Sequence, residues 1–109
     1  MAEQRRYYRI VYPPEERPTF TIQGKKYEVL DISEKGMSFV VKHGLTPARG
    51  IEVKGVLTFR DGQWFELIGQ IIRYMSDSGV VALNLRNRIP LPKIMEEQRY
   101  IFKKYPREE

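Results

Sequence analysis

The chain has 109 residues, with 19 Lys and Arg against 14 Asp and Glu, a net charge of +5 at pH 7, one histidine and no cysteine. That length predicts one domain able to bury a core without covalent staples, and the lack of cysteine excludes disulfides and thiolate metal sites. No apolar run approaches the ~20 residues that span a bilayer, and the polar, arginine-rich start is unlike a secretory signal, so the expected compartment is the cytoplasm.

Residues 1–16 read as a flexible arm, rich in arginine at Gln4-Arg5-Arg6-Tyr7-Tyr8-Arg9 and closed by Pro13-Pro14-Glu15-Glu16, which cannot continue a helix or a central strand. From Thr19 the pattern turns to β. Thr19–Ile22 and Tyr27–Leu30 flank a glycine-containing turn, Gln23-Gly24-Lys25-Lys26. Gly36–Val41 is a third strand after the turn-like Ser33-Glu34-Lys35. His43 to Gly50 is a loop by its Gly and Pro content. A longer strand follows with Ile51, Val53, Leu57 and Phe59 at alternate positions, then the Asp61-Gly62 turn. Trp64–Tyr74 and Val80–Leu85 complete six or seven short antiparallel strands, which predict a barrel or a sandwich.

The end of the chain changes period. Ile94, Met95, Gln98, Ile101, Phe102 and Tyr105 share one face at helical spacing, with Glu96, Glu97, Lys103 and Lys104 mostly elsewhere. This predicts an amphipathic helix over about 92–105, opened by Pro90 and Pro92. Its apolar face covers the barrel or serves a partner or a dimer.

The catalytic inventory is poor. His43 reads as a solvated loop residue, and the adjacent pairs Glu15/Glu16 and Glu96/Glu97 read as surface charge rather than carboxylates facing across a cleft. Phosphate-binding and dinucleotide fingerprints are missing, so the expectation is a non-enzyme. Trp64 reads as core or barrel-end packing. Tyr7 and Tyr8, set between arginines, either stack on bases or dock on the barrel.

Two clusters stand out. Arg5 and Arg9, with Arg6 between them, supply guanidinium forks suited to phosphate oxygens and to the O6/N7 edge of guanine. Asp31, Ser33 and Gly36 put an acceptor-only carboxylate, a hydroxyl and a residue without a side chain at a strand junction. Taken alone, the second cluster reads equally as an Asx or Ser turn closing a hairpin.

Arg5-x-x-x-Arg9 followed by Asp31-x-Ser33-x-x-Gly36, ahead of a β-rich domain, resembles the PilZ domain family of bacterial cyclic di-GMP receptors. Gly69–Arg73 and Gly79–Leu83 look like its later strands, more loosely. The resemblance implies an all-β fold: a six-stranded antiparallel split barrel over 17–109 with a C-terminal α-helix, its mouth binding the dinucleotide under the folded-over arm. Arg5 and Arg9 would meet phosphates and guanine edges, with Arg6 in support. Asp31 would accept from guanine, Ser33 would bond near phosphate or base, and Gly36 would leave room for the ligand. The implied role is an adaptor whose arm moves on binding and which signals to a protein effector in motility, exopolysaccharide or pilus function. No cofactor beyond the ligand, no nucleic acid and no membrane span is expected. The residue before the motif, Gln4, leaves one or two bound dinucleotides open, and monomer or dimer is open independently of it. The alternatives are a barrel that binds single-stranded nucleic acid and a ligand-free interaction domain.

Overall fold

The structure is a computed structural model, described here for residues 9–43 and 45–106. These residues form seven strands: β1 Ile10–Val11, β2 Thr19–Ile22, β3 Lys25–Ile32, β4 Gly36–Val40, β5 Glu52–Thr58, β6 Trp64–Met75 and β7 Val80–Leu85. Among the described residues there is one α-helix, α1, which spans Leu91–Lys104, one residue off the predicted bounds at each end. All pairings are antiparallel in the order β3-β2-β5-β6-β7-β4, and β4 returns to β3, closing a six-stranded barrel. Closure leaves no long free edge.

β1 is the extra strand, and the sequence pattern did not reveal it. Two residues are too short to show alternation. Ile10 pairs with Ile32 and Val11 with Asp31, while those same β3 residues pair with Met37 and Ser38 of β4 on their other edge. β1 therefore continues the β2 edge of β3, separated from β2 by a 3-10 turn at Pro14–Glu16. Of the stretch expected as an arm, this part lies against the barrel, with Tyr12 and Glu16 both buried.

Alternation explains most of the core. Phe20 and Ile22 in β2, Val53 and Leu57 in β5, and Val81, Leu83 and Leu85 in β7 all point inward. Phe39 sits between Phe20 and Tyr27 at centroid distances of 5.3 and 5.6 Å. Gly55 is the inward position of β5 where no side chain fits. A Cβ there would lie 2.6 Å from the Thr21 carbonyl oxygen and 2.8 Å from the Phe20 ring. At the ends the expected pattern fails, because Ile51 is 45% exposed and Trp64 60% exposed. Ile51 precedes β5, and Trp64, paired with Thr58 at the start of β6, faces outward, so Trp64 is not core.

The helix face also needs correcting. Its buried residues are Lys93, Ile94, Glu97 and Ile101, while Phe102 is exposed. Glu16 and Glu97, expected as surface charge, are buried because each finds partners inside. Tyr12 donates its hydroxyl to Glu97 Oε1 at 2.6 Å, and Lys93 Nζ meets Asp61 at 2.7 Å over the Phe59 ring. Glu16 accepts from Arg60 at 2.7 Å, Lys104 at 2.9 Å, Tyr105 at 2.8 Å and Tyr100 at 3.1 Å. Hydrophobic periodicity cannot announce a charge buried on account of distant partners. Among the described residues no helix is long and apolar enough to cross a membrane.

Candidate ligand-binding site

Two breaks in strand alternation build the site. In β3 the register to β4 shifts between Val29 and Asp31, and in β6 the register to β7 shifts between Ile71 and Arg73. Each break is a bulge whose extra residue is Leu30 or Ile72. In regular strands Asp31 would share the inward face of Val29, and Arg73 that of Ile71. The bulges reverse this. Asp31 and Arg73 turn outward, and in β3 the next residue, Ile32, returns to the core.

Both side chains then fall in one cross-strand row. Asp31 stands opposite Ser38, Ser38 opposite Ala82, and Ala82 opposite Arg73. Carboxylate and guanidinium bracket two small residues that leave a shallow floor. In the next row Gly36 faces Asn84. The concavity holds about 340 Å³ and is lined by Arg9, Asp31, Ser33, Lys35, Gly36 and Arg73, with the floor residues between them. It lies on the outer wall of the barrel, beside the β3–β4 turn.

That turn is tightly pinned. Ser33 N–H donates to the Gly36 carbonyl at 2.8 Å, Leu85 N–H to Lys35 at 2.7 Å and Ile89 N–H to Glu34 at 3.0 Å. Gly36 does not use its freedom to take positive φ. It serves close approach instead, since a Cβ would stand 3.3 Å from Ser33 Oγ and 3.5 Å from the Leu83 carbonyl. Arg9 Nη1 reaches Asp31 Oδ2 at 3.5 Å, a loose contact with the arginine 60% exposed. Arg73 and Lys35 have no ion-pair partner among the described residues. Three cations against one carboxylate give the concavity a positive balance.

The structure thus brings together Arg9, Asp31, Ser33 and Gly36 from the two sequence clusters. Arg5 and Arg6, like Tyr7 and Tyr8, lie outside the described residues. Reading the sequence missed Lys35, Ser38, Ala82, Asn84 and the placement of Arg73. Regular alternation would have sent Arg73 inward, so only the bulge makes it legible. His43 is exposed in its loop and lies away from this concavity. Among the described residues there is no cluster of three or more metal-ligating side chains.

A family model described as PilZ domain matches residues 3–103. No curated protein matches the chain in sequence. Among solved structures, the Bacillus subtilis inhibitor of motility (MotI/DgrA) is similar in fold, with a TM-score of 0.72 and 16% identity. The match covers 98% of this chain and 54% of that one, so the chain spans about half the length of the Bacillus protein.

Proposed function

The chain belongs to the PilZ domain family, a family of binding domains, and from that premise we propose that it is a cyclic di-GMP receptor acting as an adaptor. The observation that supports this most is the convergence of Arg9, Asp31, Ser33 and Gly36 on one concavity with Arg73 across its floor. Cyclic di-GMP offers two anionic phosphodiesters and two guanines. Guanidinium groups pair with phosphate oxygens or the guanine O6/N7 edge, and Asp31 accepts from guanine N1–H and N2–H. Gly36 keeps the floor open to a flat base.

The contact between Arg9 and Asp31 suggests how the ligand acts. At 3.5 Å and half exposed it is weak, so exchanging it for phosphate and guanine partners costs little. Arg5 and Arg6 precede Arg9 by a few residues, and ligand binding recruits them to the same anion. Each charge-assisted bond contributes roughly 1.5–3 kcal/mol. Ordering the arm costs about 1–2 kcal/mol per residue in backbone entropy. The balance is close, which makes affinity sensitive to every arginine and makes the arm the moving part. The changed rim beside β1 is then read by a protein effector.

Titration calorimetry tests this with cyclic di-GMP and cyclic di-AMP. The expected result is saturable binding of cyclic di-GMP, at least about tenfold weaker binding of the adenine analogue, which lacks the guanine donors for Asp31, and loss of binding in the Arg5→Ala/Arg9→Ala variant. Unchanged affinity in that double variant would sink the site assignment.

A further inference from the structure

A second concavity, of about 460 Å³, lies apart from the one described above. It lies at the other end of the β3–β4 hairpin, around Tyr27 and Val40, whereas the candidate site lies around Asp31 and Gly36. Asp31 lies four residues beyond Tyr27, on the order of 13 Å along β3. Its basic residues come from three separate segments: Arg17 before β2, Lys25 and Lys26 at the start of β3, and Lys42 after β4. The single carboxylate in the lining, Glu28, is already engaged by Arg17 at 2.9 Å. Lys25, Lys26 and Lys42 have no ion-pair partner among the described residues. Three like charges gathered without a counter-charge repel one another, and the chain's many other carboxylates are placed elsewhere.

We propose that this concavity is a docking site for an acidic segment of a protein partner, one that carries an apolar side chain between its carboxylates. Charge complementarity selects the acidic residues, and the Tyr27 and Val40 walls select the apolar one. A nucleic-acid strand is the poorer match, because strand binding follows a continuous basic track that neutralises many phosphates. Here the basic groups ring a pocket. The inference rests on the adaptor reading in one respect, namely that an adaptor requires a partner surface separate from its ligand site.

The test uses the full chain, ¹⁵N-labelled, and a capped pentapeptide with a phenylalanine flanked on each side by two glutamates. Amide shifts are followed at low and at physiological salt, with and without cyclic di-GMP. The expected result is saturable shifts centred on residues 25–28 and 40–43, weakened but retained at physiological salt, where the Debye length is about 8 Å. Lys25→Glu/Lys26→Glu/Lys42→Glu should weaken peptide binding about tenfold or more while cyclic di-GMP binding is unchanged. The milder Lys25→Gln/Lys42→Gln variant guards against misfolding and should fall between. Arg9→Ala should do the reverse, losing cyclic di-GMP and keeping the peptide. Absence of shifts at millimolar peptide, equal binding of a lysine-flanked peptide, or preferential binding of a single-stranded oligonucleotide at these residues overturns the proposal. Failure of cyclic di-GMP to bind the same wild-type sample counts against the receptor reading and leaves the peptide result standing on its own.

Discussion

Arg73 has the most to offer among the residues that only the structure brought to the site. It stands across Ser38 and Ala82 from Asp31, is exposed, and has no partner among the described residues to give up when an anion arrives. A guanidinium there can complete a clamp on a phosphate or guanine edge whose other side is Arg9 and Asp31. Arg73→Ala should weaken cyclic di-GMP binding about ten- to hundredfold, the loss expected for one charge-assisted contact. Arg73→Lys should recover only part of this, because an ammonium keeps the charge and loses the fork. Folding stability should stay within about 0.5 kcal/mol, as for an exposed residue without structural contacts. Calorimetry and denaturant melts check the two halves, and equal affinity in the alanine variant would remove Arg73 from the site. The motif residues Arg9, Asp31, Ser33 and Gly36 stood out only through the order and spacing of their two clusters, since Asp31, Ser33 and Gly36 alone suit an ordinary turn. Ser38 and Ala82 were not, since a small residue on a sheet looks like any other until its neighbours in register are known.

The strands owe their legibility to alternation, and they were misread where alternation breaks. Thr19–Ile22 emerges within the bounds read from the sequence because it keeps period two, and Val80–Leu85 because it is a short apolar run bounded by turns. The bulges at Leu30 and Ile72 leave no signature in composition, yet they set which face Asp31 and Arg73 occupy. Gly55 is the reverse case: it looks like a weak point in a β strand and is a packing requirement. With Phe20 from β2 lying over it and the Thr21 carbonyl 2.6 Å from a would-be Cβ, the β2–β5 seam closes only around a glycine. Gly55→Ala should therefore destabilise the fold by about 1–3 kcal/mol through overpacking, rather than stabilise it through reduced unfolded-state entropy. Urea denaturation measures this directly. A variant as stable as the wild type would mean that β2 moves away at no cost. Because the seam lies on the opposite side of the barrel order from the β4–β7 floor, ligand affinity in the folded variant should be preserved.

At the scale of the whole molecule, the polar contacts beneath α1 hold the helix and the residues after β1 to the barrel, and they titrate. Glu16 in the 3-10 turn joins Arg60 at the β5–β6 hairpin to Lys104, Tyr100 and Tyr105 of the helix end. Hydrogen bonds from Lys104 and Tyr105 hold its carboxyl down at about 2, against an ordinary 4.5, even though burial opposes the charge. The hydrogen bond from Lys93 lowers Asp61 in the same way. A depressed carboxyl contributes stability that is complete above its unfolded value and disappears as pH falls through the folded one. The acid limb should therefore run from about pH 4.5 down to about 2. At the other extreme, burial and the hydrogen bond to Glu97 raise Tyr12 above its ordinary 10, and the bond to Glu16 raises Lys104. Lys93 is also raised, because the carboxylates of Asp61, Glu97 and Glu96 outweigh its burial. Groups raised in the fold contribute stability that is complete below their unfolded values and lost as pH rises, so an alkaline limb should begin near pH 10. Thermal melts between pH 2 and 11 should show a plateau from about 5 to 9.5. Glu16→Gln should lower the melting temperature on the plateau, since an amide cannot pair with both Lys104 and Arg60, and should flatten the acid limb. An acid limb of unchanged slope in that variant would shift the titrating role to other carboxyls. Because β1 lies between Arg9, at the candidate site, and Tyr12, in this contact layer, loosening α1 should also weaken cyclic di-GMP binding below pH 4.5.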